Sequence, residues 1–414
     1  MYEDLKFYIN LKVNNTPKSY TGRIINNAKG NQLQLDRICS SLPKEEQDAF
    51  QYSKLDYIVC HANDGKQYAF YNLVWIETQS NYGQYNIVLR FTLTFEELIE
   101  NPTPDKLYGG ISFSFDNIES IFGRTSFDTQ FPLQENNNEI KLSLSVPDDL
   151  NVDLDNQTQI RIYSQFDGLV SSYSLYDLNI VQKKRIYVKF PNRISLDEIS
   201  KTIIVLKLYF EFVYNYKMGF KEALLIDEQD NYKESKIKIS KLYNIDPMPS
   251  TAFKSRFNGN SEELTKGIKL WFELYDQYMD SILIWKKTIY NLNIDLNDKY
   301  IWICQAFESM CQNDKDIYSK ALENAKEKSI KSTYPNLSDY LKTVEDIIDF
   351  KFTNRDKYYR NIVKVRDKLT HNNPKKNITE VEKDESFRLI EYFYLSIVVS
   401  KLDGLKIARM ISLP

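Results

Sequence analysis

The stretch Asp246-Pro-Met-Pro-Ser-Thr-Ala-Phe-Lys-Ser-Arg-Phe-Asn-Gly-Asn260 decides the fold, because the hydrophobic periodicity changes across it. Pro, Gly, Ser and Asn are concentrated here, which is typical of a linker. Apolar and polar residues mostly alternate before it, and they follow a period of about 3.6 after it. The sequence therefore predicts an α+β protein with a β-rich domain at 1–250, a linker at 251–260 and an all-α bundle at 261–414.

The first domain is predicted to be an antiparallel β-sandwich or barrel-like unit with a packed helix. Alternation indicates half-buried strands at Lys6–Val13, Tyr85–Phe95, Ile111–Phe115, Glu139–Val146, Gln159–Tyr163 and Arg185–Phe190. Turn signals between them include Asn63-Asp64-Gly65, Gly109-Gly110 and Glu135-Asn136-Asn137-Asn138. The stretch Ile203–Tyr214 is either a helix that closes one end of the sheet or another strand pair. The capping-box spacing of Ser195 and Glu198 just before it favours the helix.

The second domain is predicted to be entirely helical. Apolar stripes place helices at Glu262–Tyr290, Asp298–Gln312, Asp316–Lys328, Leu337–Phe350, Asn354–Thr370 and Asp384–Leu405. The last helix is apolar nearly all round between Tyr392 and Val399, which is typical of a helix at the centre of a bundle or at a subunit interface.

Composition limits the classes of function. No run of about 18 apolar residues occurs, and the acidic N-terminus differs from a signal peptide, so we expect a soluble, cytoplasmic protein with no membrane partner. The four cysteines (Cys39, Cys60, Cys304 and Cys311) are too few and too scattered for a disulfide framework or a zinc site. With a net charge of −3, any nucleic-acid surface must be local.

Such a local surface is predicted around the helix Asn354–Thr370. Nine basic and two acidic residues lie between Lys351 and Lys376, and Tyr358 and Tyr359 are interleaved with them. Basic and aromatic side chains together are what a groove for single-stranded nucleic acid needs, although such runs are usually only solvated helix faces. The candidate RNA-binding residues are Lys364, Lys368, Asn372, Tyr359 and Arg360.

Arg366 and His371 are the candidate chemical groups of this helix. Tyr358, Ile362, Val365 and Leu369 form its predicted core stripe, and Arg366 lies on the shoulder of that stripe. At about 100° per residue, His371 lies roughly 140° around the helix from Arg366. Pro374 disfavours helical geometry just beyond, so His371 is expected in a frayed last turn.

The stretch Val365-Arg-Asp-Lys-Leu-Thr-His371 resembles the Arg-x4–6-His signature of HEPN ribonucleases. Ile303-Cys-Gln-Ala-Phe-Glu308 is similar to the family's helix that carries an acidic residue, so Glu308 is expected to face Arg366. Ile58-Val-Cys-His61, Gly109-Gly110-Ile-Ser-Phe and Phe115-Asp116-Asn-Ile118 are similar to the N-terminal domain of the ApeA-like subgroup. Together these matches cover most of the chain.

This resemblance implies a metal-independent endoribonuclease of abortive antiphage defence, with Arg366, His371 and Glu308 as catalytic residues. It implies no metal and no cofactor. The implied partners are RNA, with transfer RNA as one candidate, and an unknown phage trigger sensed by the N-terminal domain. Because this chain carries one motif copy and family members pair two, a homodimer or larger oligomer is expected.

Other readings of the same residues remain open. The helical domain could dock RNA or a protein partner without cleaving anything, or the chain could be the toxin of a toxin–antitoxin pair. Outside the motif context, a His at a helix end is usually solvated or interacts with the helix dipole. Glu308 could equally orient Arg366 or only solvate the bundle, and His61 is better explained as a structural residue than as a site residue.

Overall fold

The computed structural model describes most of the chain in segments. These segments are 6–13, 16–27, 30–38, 43–52, 57–63, 65, 67–71, 73–81, 84–91, 93–96, 107–115, 118, 126–130, 141–145, 148–167, 181–214, 217–227, 233–239, 257–258, 261–290, 294–328, 334–348, 355–371, 377–402 and 406–407. The predicted turn at Glu135–Asn138, the candidate Asn372 and most of the predicted linker 251–260 lie outside them.

The strands of the described segments pair in the antiparallel direction, and all but the last of them precede the helix that begins at Ser261. The strands are β1 (Lys6–Val13), β2 (Thr16–Asn27), β3 (Gly30–Ile38), β4 (Tyr57–Ala62), β5 (Gln67–Tyr71), β6 (Val74–Asn81), β7 (Gln84–Arg90), β8 (Leu93–Glu96), β9 (Tyr108–Phe115), β10 (Ser126–Gln130), β11 (Lys141–Ser145), β12 (Leu150–Asp153), β13 (Gln159–Asp167), β14 (Val181–Ile194), β15 (Phe220–Asp227), β16 (Lys233–Ile239), β17 (Phe257–Asn258) and β18 (Lys406–Ile407). Fourteen of them form one sheet, in the order β12-β13-β14-β9-β15-β16-β8-β5-β4-β1-β2-β3-β7-β6. The sheet is curled into a half-barrel, which agrees with the predicted barrel-like β-domain.

Two details of the strand prediction were wrong. The run Tyr85–Phe95 is divided between β7, which pairs with β3 and β6, and β8, which pairs with β5 and β16. Gly109-Gly110 is not a turn but part of β9, whose residues are all buried. A Cβ atom on Gly110 would lie 2.9 Å from the Val188 carbonyl oxygen, so a glycine here permits close strand packing.

The predicted helices are present with small shifts of their ends. The helices are α1 (Lys44–Tyr52), α2 (Leu196–Tyr214), α3 (Ser261–Tyr290), α4 (Leu296–Asn313), α5 (Lys315–Lys328), α6 (Leu337–Ile347), α7 (Arg355–His371) and α8 (Glu380–Ser400). The capping box of Ser195 and Glu198 forms at the start of α2, so the helical alternative for this stretch is correct. Helix α1 was not predicted. Among the described residues, no helix combines the length and the apolar character needed to cross a membrane.

The chain divides into two compact units. One contains Met1–Lys201 and Met218–Phe253, and the other contains Thr202–Lys217 and Lys254–Pro414. Most of α2 therefore belongs to the helical unit, whereas the sequence analysis assigned it to the β-domain. The reason is its composition: from Val205 to Tyr214 every residue is buried, so the helix needs cover on all sides.

Helix α8 lies at the centre of the helical unit. Its residues from Phe393 to Val399 are all buried, as the apolar sequence predicted. Around it, the Tyr278 hydroxyl of α3 donates to Asp314 at 2.9 Å, and Lys401 at the end of α8 contacts the same carboxylate at 2.5 Å. Three helices are thus tied together at one buried acid.

Candidate functional site

Helix α7 carries the candidate catalytic residues and packs on the bundle through one apolar face. Tyr359, Ile362 and Val365 are its buried residues. The predicted stripe was shifted, since Tyr358 and Leu369 are only partly buried. Tyr359 instead packs its ring 6.1 Å from that of Phe393 on α8.

The guanidinium of Arg366 meets the carboxylate of Glu308 on α4. The Nη2 atom of Arg366 donates to both carboxylate oxygens, at 3.3 and 3.4 Å. A second carboxylate, that of Asp367, lies 3.7 Å from Nη1. The side chain of Arg366 is 33 % exposed and that of Glu308 is 19 % exposed, so the pair is partly accessible at the surface. The predicted contact between Glu308 and Arg366 is therefore present.

A buried hydrogen bond fixes α4 against α7 close to this pair. The Tyr300 hydroxyl donates to the Ile362 carbonyl oxygen at 3.0 Å. Tyr300 precedes Glu308 by two turns, and Ile362 precedes Arg366 by one turn. Because the two contacts follow each other in the same direction along both helices, the position of Glu308 relative to Arg366 is defined by the packing.

The environment of Glu308 is partly desolvated. Burial raises the pKa of its carboxyl group, and the positive charge of Arg366 offsets only part of that effect. One turn earlier on α4, burial also raises the pKa of the Cys304 thiol, which is therefore an apolar neighbour of the pair and not a reactive group.

His371 is the last residue of α7 and is exposed. The helix remains regular up to it, so the frayed turn that the sequence analysis expected does not include His371. Five residues of regular helix separate Arg366 and His371 by roughly 140° and about 7.5 Å along the axis. Within one chain, the guanidinium is directed towards α4 while the imidazole lies further along and around the helix.

Several basic residues of α7 are neutralised by carboxylates on neighbouring helices. Arg355 lies 3.8 Å from the buried Glu345, and Lys364 lies 3.5 Å from Glu382. Together with Glu308, these acids offset much of the positive charge that the sequence analysis assigned to this surface. Glu382 also forms the capping box with Thr379 at the start of α8, so one carboxylate both caps that helix and pairs with Lys364 of α7.

The other RNA-binding candidates have different surroundings. Tyr359 is only 2 % exposed, so its side chain belongs to the core and cannot stack on a base. Arg360 is exposed, and its Nε donates to the Asp356 carbonyl oxygen of the same helix at 2.9 Å. Lys368 is partly buried. His61, on β4 of the other unit, is exposed and lies opposite Tyr8 of β1.

Comparison with known families identifies the first two thirds of the chain. Residues 6–267 match the model of ApeA N-terminal domain 1. The chain belongs to this family. Membership supports an ApeA-type antiphage defence protein. The match ends within α3, so Glu308, Arg366 and His371 of this ApeA family member lie outside it. No curated protein and no solved structure matches the chain.

Proposed function

We propose that the chain is a metal-independent endoribonuclease of antiphage defence, with an RNA-cleaving site of the HEPN type on α7. The observation that carries the proposal is the Glu308–Arg366 pair, which holds a guanidinium at the surface of a helical bundle five residues before an exposed His371. Membership of the ApeA family supports the defence role.

The chemistry of RNA cleavage suits these side chains. RNA supplies its own nucleophile, the 2′-hydroxyl, which attacks the adjacent phosphorus and expels the 5′-oxygen. This step needs a base for the hydroxyl proton, an acid for the departing oxygen and positive charge near the phosphorane-like transition state. His371 can exchange a proton near neutral pH, and Arg366 can place two N–H donors on phosphate oxygens. The products are a 2′,3′-cyclic phosphate and a 5′-hydroxyl.

Glu308 acts in this proposal as a positioning residue. A flexible arginine side chain loses rotamer entropy when it is fixed in one conformation. Because the Glu308 carboxylate already holds Arg366 before RNA binds, that entropy is not lost again on binding. Arg366 can then keep Nη2 on Glu308 and present its other N–H groups to a phosphate.

A second copy of the chain completes the site. One imidazole cannot easily act as both base and acid in one turnover, and Arg366 and His371 diverge around one helix. Two copies of α7 facing each other would place two imidazoles and two guanidinium groups around one phosphate. The functional form is therefore a homodimer or a larger oligomer.

The test is cleavage of total bacterial RNA in the presence of EDTA by the full-length chain and four variants. His371→Ala and Arg366→Ala should each lower cleavage at least a hundredfold, since each removes a group that acts on the transition state. His61→Ala is the matched control for the imidazole, because the chain contains two histidines and both are exposed. Arg388→Ala is the control for the guanidinium, since Arg388 lies on α8 and its side chain is 54 % exposed.

End-group analysis and RNA binding distinguish the outcomes. Cyclic phosphate ends produced by the wild type and both controls, but by neither site variant, support the enzyme. If the wild type cuts only after phage lysate is added, the same comparison is made with lysate present. Equal cleavage by wild type and His371→Ala would refute the proposal. RNA binding without cleavage under either condition would indicate a binding module.

A further inference from the structure

A cleft opens in the β-sheet where β2 and β3 separate. Their ladder begins at the Asn27–Gly30 end and stops at the pair Thr21 and Asp36. Beyond that pair, β2 continues along β1 as far as Thr16, and β3 continues along β7 as far as Ile38. The two strands thus pair with different neighbours on either side of an opening. A cavity of about 470 Å³ lies there, which is within the range of ligand sites.

The cleft wall contains Arg37, whose guanidinium is held in place by Glu46 and Tyr20. Arg37 forms an ion pair with Glu46 of α1, whose side chain is only 2 % exposed, and it donates to the Tyr20 hydroxyl at 3.3 Å. The Tyr20 hydroxyl donates in turn to the same Glu46 carboxylate at 2.7 Å. Both Arg37 contacts use Nη1, so the guanidinium keeps donors on Nε and Nη2 for a two-point contact with a carboxylate.

The rim of the cleft is polar and carries one exposed aromatic ring. Tyr8 and Asp36 both lie opposite Thr21 on its two neighbouring strands, so the three side chains form a row on one face. Tyr8 is 54 % exposed, although it is a large aromatic residue in the middle of a strand. Ser19 and Gln84 add a hydroxyl and an amide, which can pair with backbone amides.

The charges around the cleft restrict the ligand. Arg37 and Lys18, whose Nζ lies 3.6 Å from Glu46, are balanced by the carboxylates of Glu46 and Asp36. Such a balanced set gives little net attraction for a polyanion. It suits a ligand that brings one carboxylate to Arg37 and N–H donors to Asp36, as a polypeptide segment does.

We propose that this cleft binds an extended polypeptide segment of a partner protein through one Asp or Glu side chain. The carboxylate sits on Arg37, the backbone amides pair with Asp36 and the polar rim, and a neighbouring side chain packs on Tyr8. The site belongs to the ApeA N-terminal domain and does not depend on RNA cleavage by the helical unit.

The experiment is selection of a random heptapeptide library, by mRNA display, on the full-length wild-type protein. The enriched peptides are then measured by fluorescence anisotropy against wild type, Tyr8→Ala and Arg37→Lys. Tyr334→Ala is the matched control, since Tyr334 is an exposed tyrosine of the helical unit, at 76 % exposure. Arg37→Lys keeps a positive charge for Glu46 and removes the planar fork.

The enriched peptides should share an acidic residue, and its change to the corresponding amide should weaken binding at least tenfold. Tyr8→Ala and Arg37→Lys should each weaken binding at least tenfold, and Tyr334→Ala should leave it within twofold. A thermal melt shows whether Arg37→Lys is folded, and if it is not, the exposed Tyr8→Ala decides. No acidic consensus, equal binding by Tyr8→Ala, or displacement of the peptide by AMP or inorganic phosphate at lower concentrations would each overturn the proposal.

Discussion

Glu308 links the proposed RNA cleavage to the stability of the fold at the scale of a single residue. Its carboxylate is partly desolvated, and burial raises its pKa despite Arg366. A carboxyl group with a raised pKa in the folded state binds its proton more readily when folded, so stability rises as pH falls through that pKa. At neutral pH, the ionised form of Glu308 therefore stabilises the fold less than the protonated form would.

Glu308→Gln should accordingly keep or raise the melting temperature at neutral pH, while it lowers RNA cleavage about tenfold through loss of the ion pair with Arg366. The difference in melting temperature should shrink as pH falls through the raised pKa, because the wild-type carboxyl group also becomes neutral. Thermal melts between neutral and acidic pH, with cleavage assays on the same samples, make the comparison. Faster cleavage by Glu308→Gln would mean that the carboxylate competes with phosphate for Arg366.

At the scale of elements, Asp314 connects several helices, and its pKa is shifted in the opposite direction from that of Glu308. Burial alone would raise its pKa, but hydrogen bonds from Lys401, the Ile317 amide and Tyr278 prevail, and the pKa is lowered. Its Oδ1 also caps α5 by accepting from the amides of Asp316 and Ile317. A lowered pKa stabilises the fold above the pKa of the unfolded chain, about 3.9. That contribution is lost as pH falls through the folded pKa.

Asp314→Asn should destabilise the protein by about 1–3 kcal/mol at neutral pH, because Lys401 and Tyr278 lose a charged acceptor. Urea unfolding at neutral and acidic pH measures this, and the difference should become smaller in acid. Asp316→Asn is the matched control, since it changes an exposed acid in the first turn of the same helix. An equal loss for both variants would argue against the special role of Asp314.

The helices and strands were easier to predict than the contacts between elements that are distant in sequence. The helix starting near Glu262 could be predicted because its apolar period is long and regular, whereas the division of Tyr85–Phe95 into two strands depends on partners distant in sequence. The Glu308–Arg366 contact could be predicted because each residue lies on the shoulder of its own apolar stripe. Neutralisation of Lys364 by Glu382 depends on how α8 packs beside α7, which local charge counting does not include.

The assembly proposed for the whole molecule has a measurable mass. If two copies of α7 form one site, light scattering of the full chain should give at least twice the 48.9 kDa of one chain. Specific RNA cleavage should fall on dilution below the dissociation constant of the dimer, since separated chains lack the second imidazole. A monomer that cleaves RNA with undiminished specific activity would contradict the paired site.

The division of the chain into two compact units predicts which fragments of it can fold on their own. A fragment that begins at residue 261 retains every helix from α3 onwards but lacks α2, whose Phe212 ring packs 5.1 Å from Trp271 and 5.3 Å from Trp285. It also lacks the Tyr209 hydroxyl, which donates to the Leu264 carbonyl oxygen at 2.5 Å. Both tryptophans are fully buried in the intact chain, and exposing such large apolar surfaces costs several kcal/mol.

We therefore expect fragment 261–414 to unfold without a cooperative transition and to bind a hydrophobic dye, while the full chain does neither. Adding a synthetic peptide of residues 196–217 should restore a cooperative transition, since Thr202–Lys217 belongs to the same unit. The variant peptide Phe212→Ala should restore less, because it leaves both indole rings partly uncovered. A fragment that melts cooperatively without the peptide would show that the helical unit folds independently of α2. The ApeA domain and the helical bundle would then be separable, although the family match, which ends at residue 267, includes all of α2 and the first turns of α3.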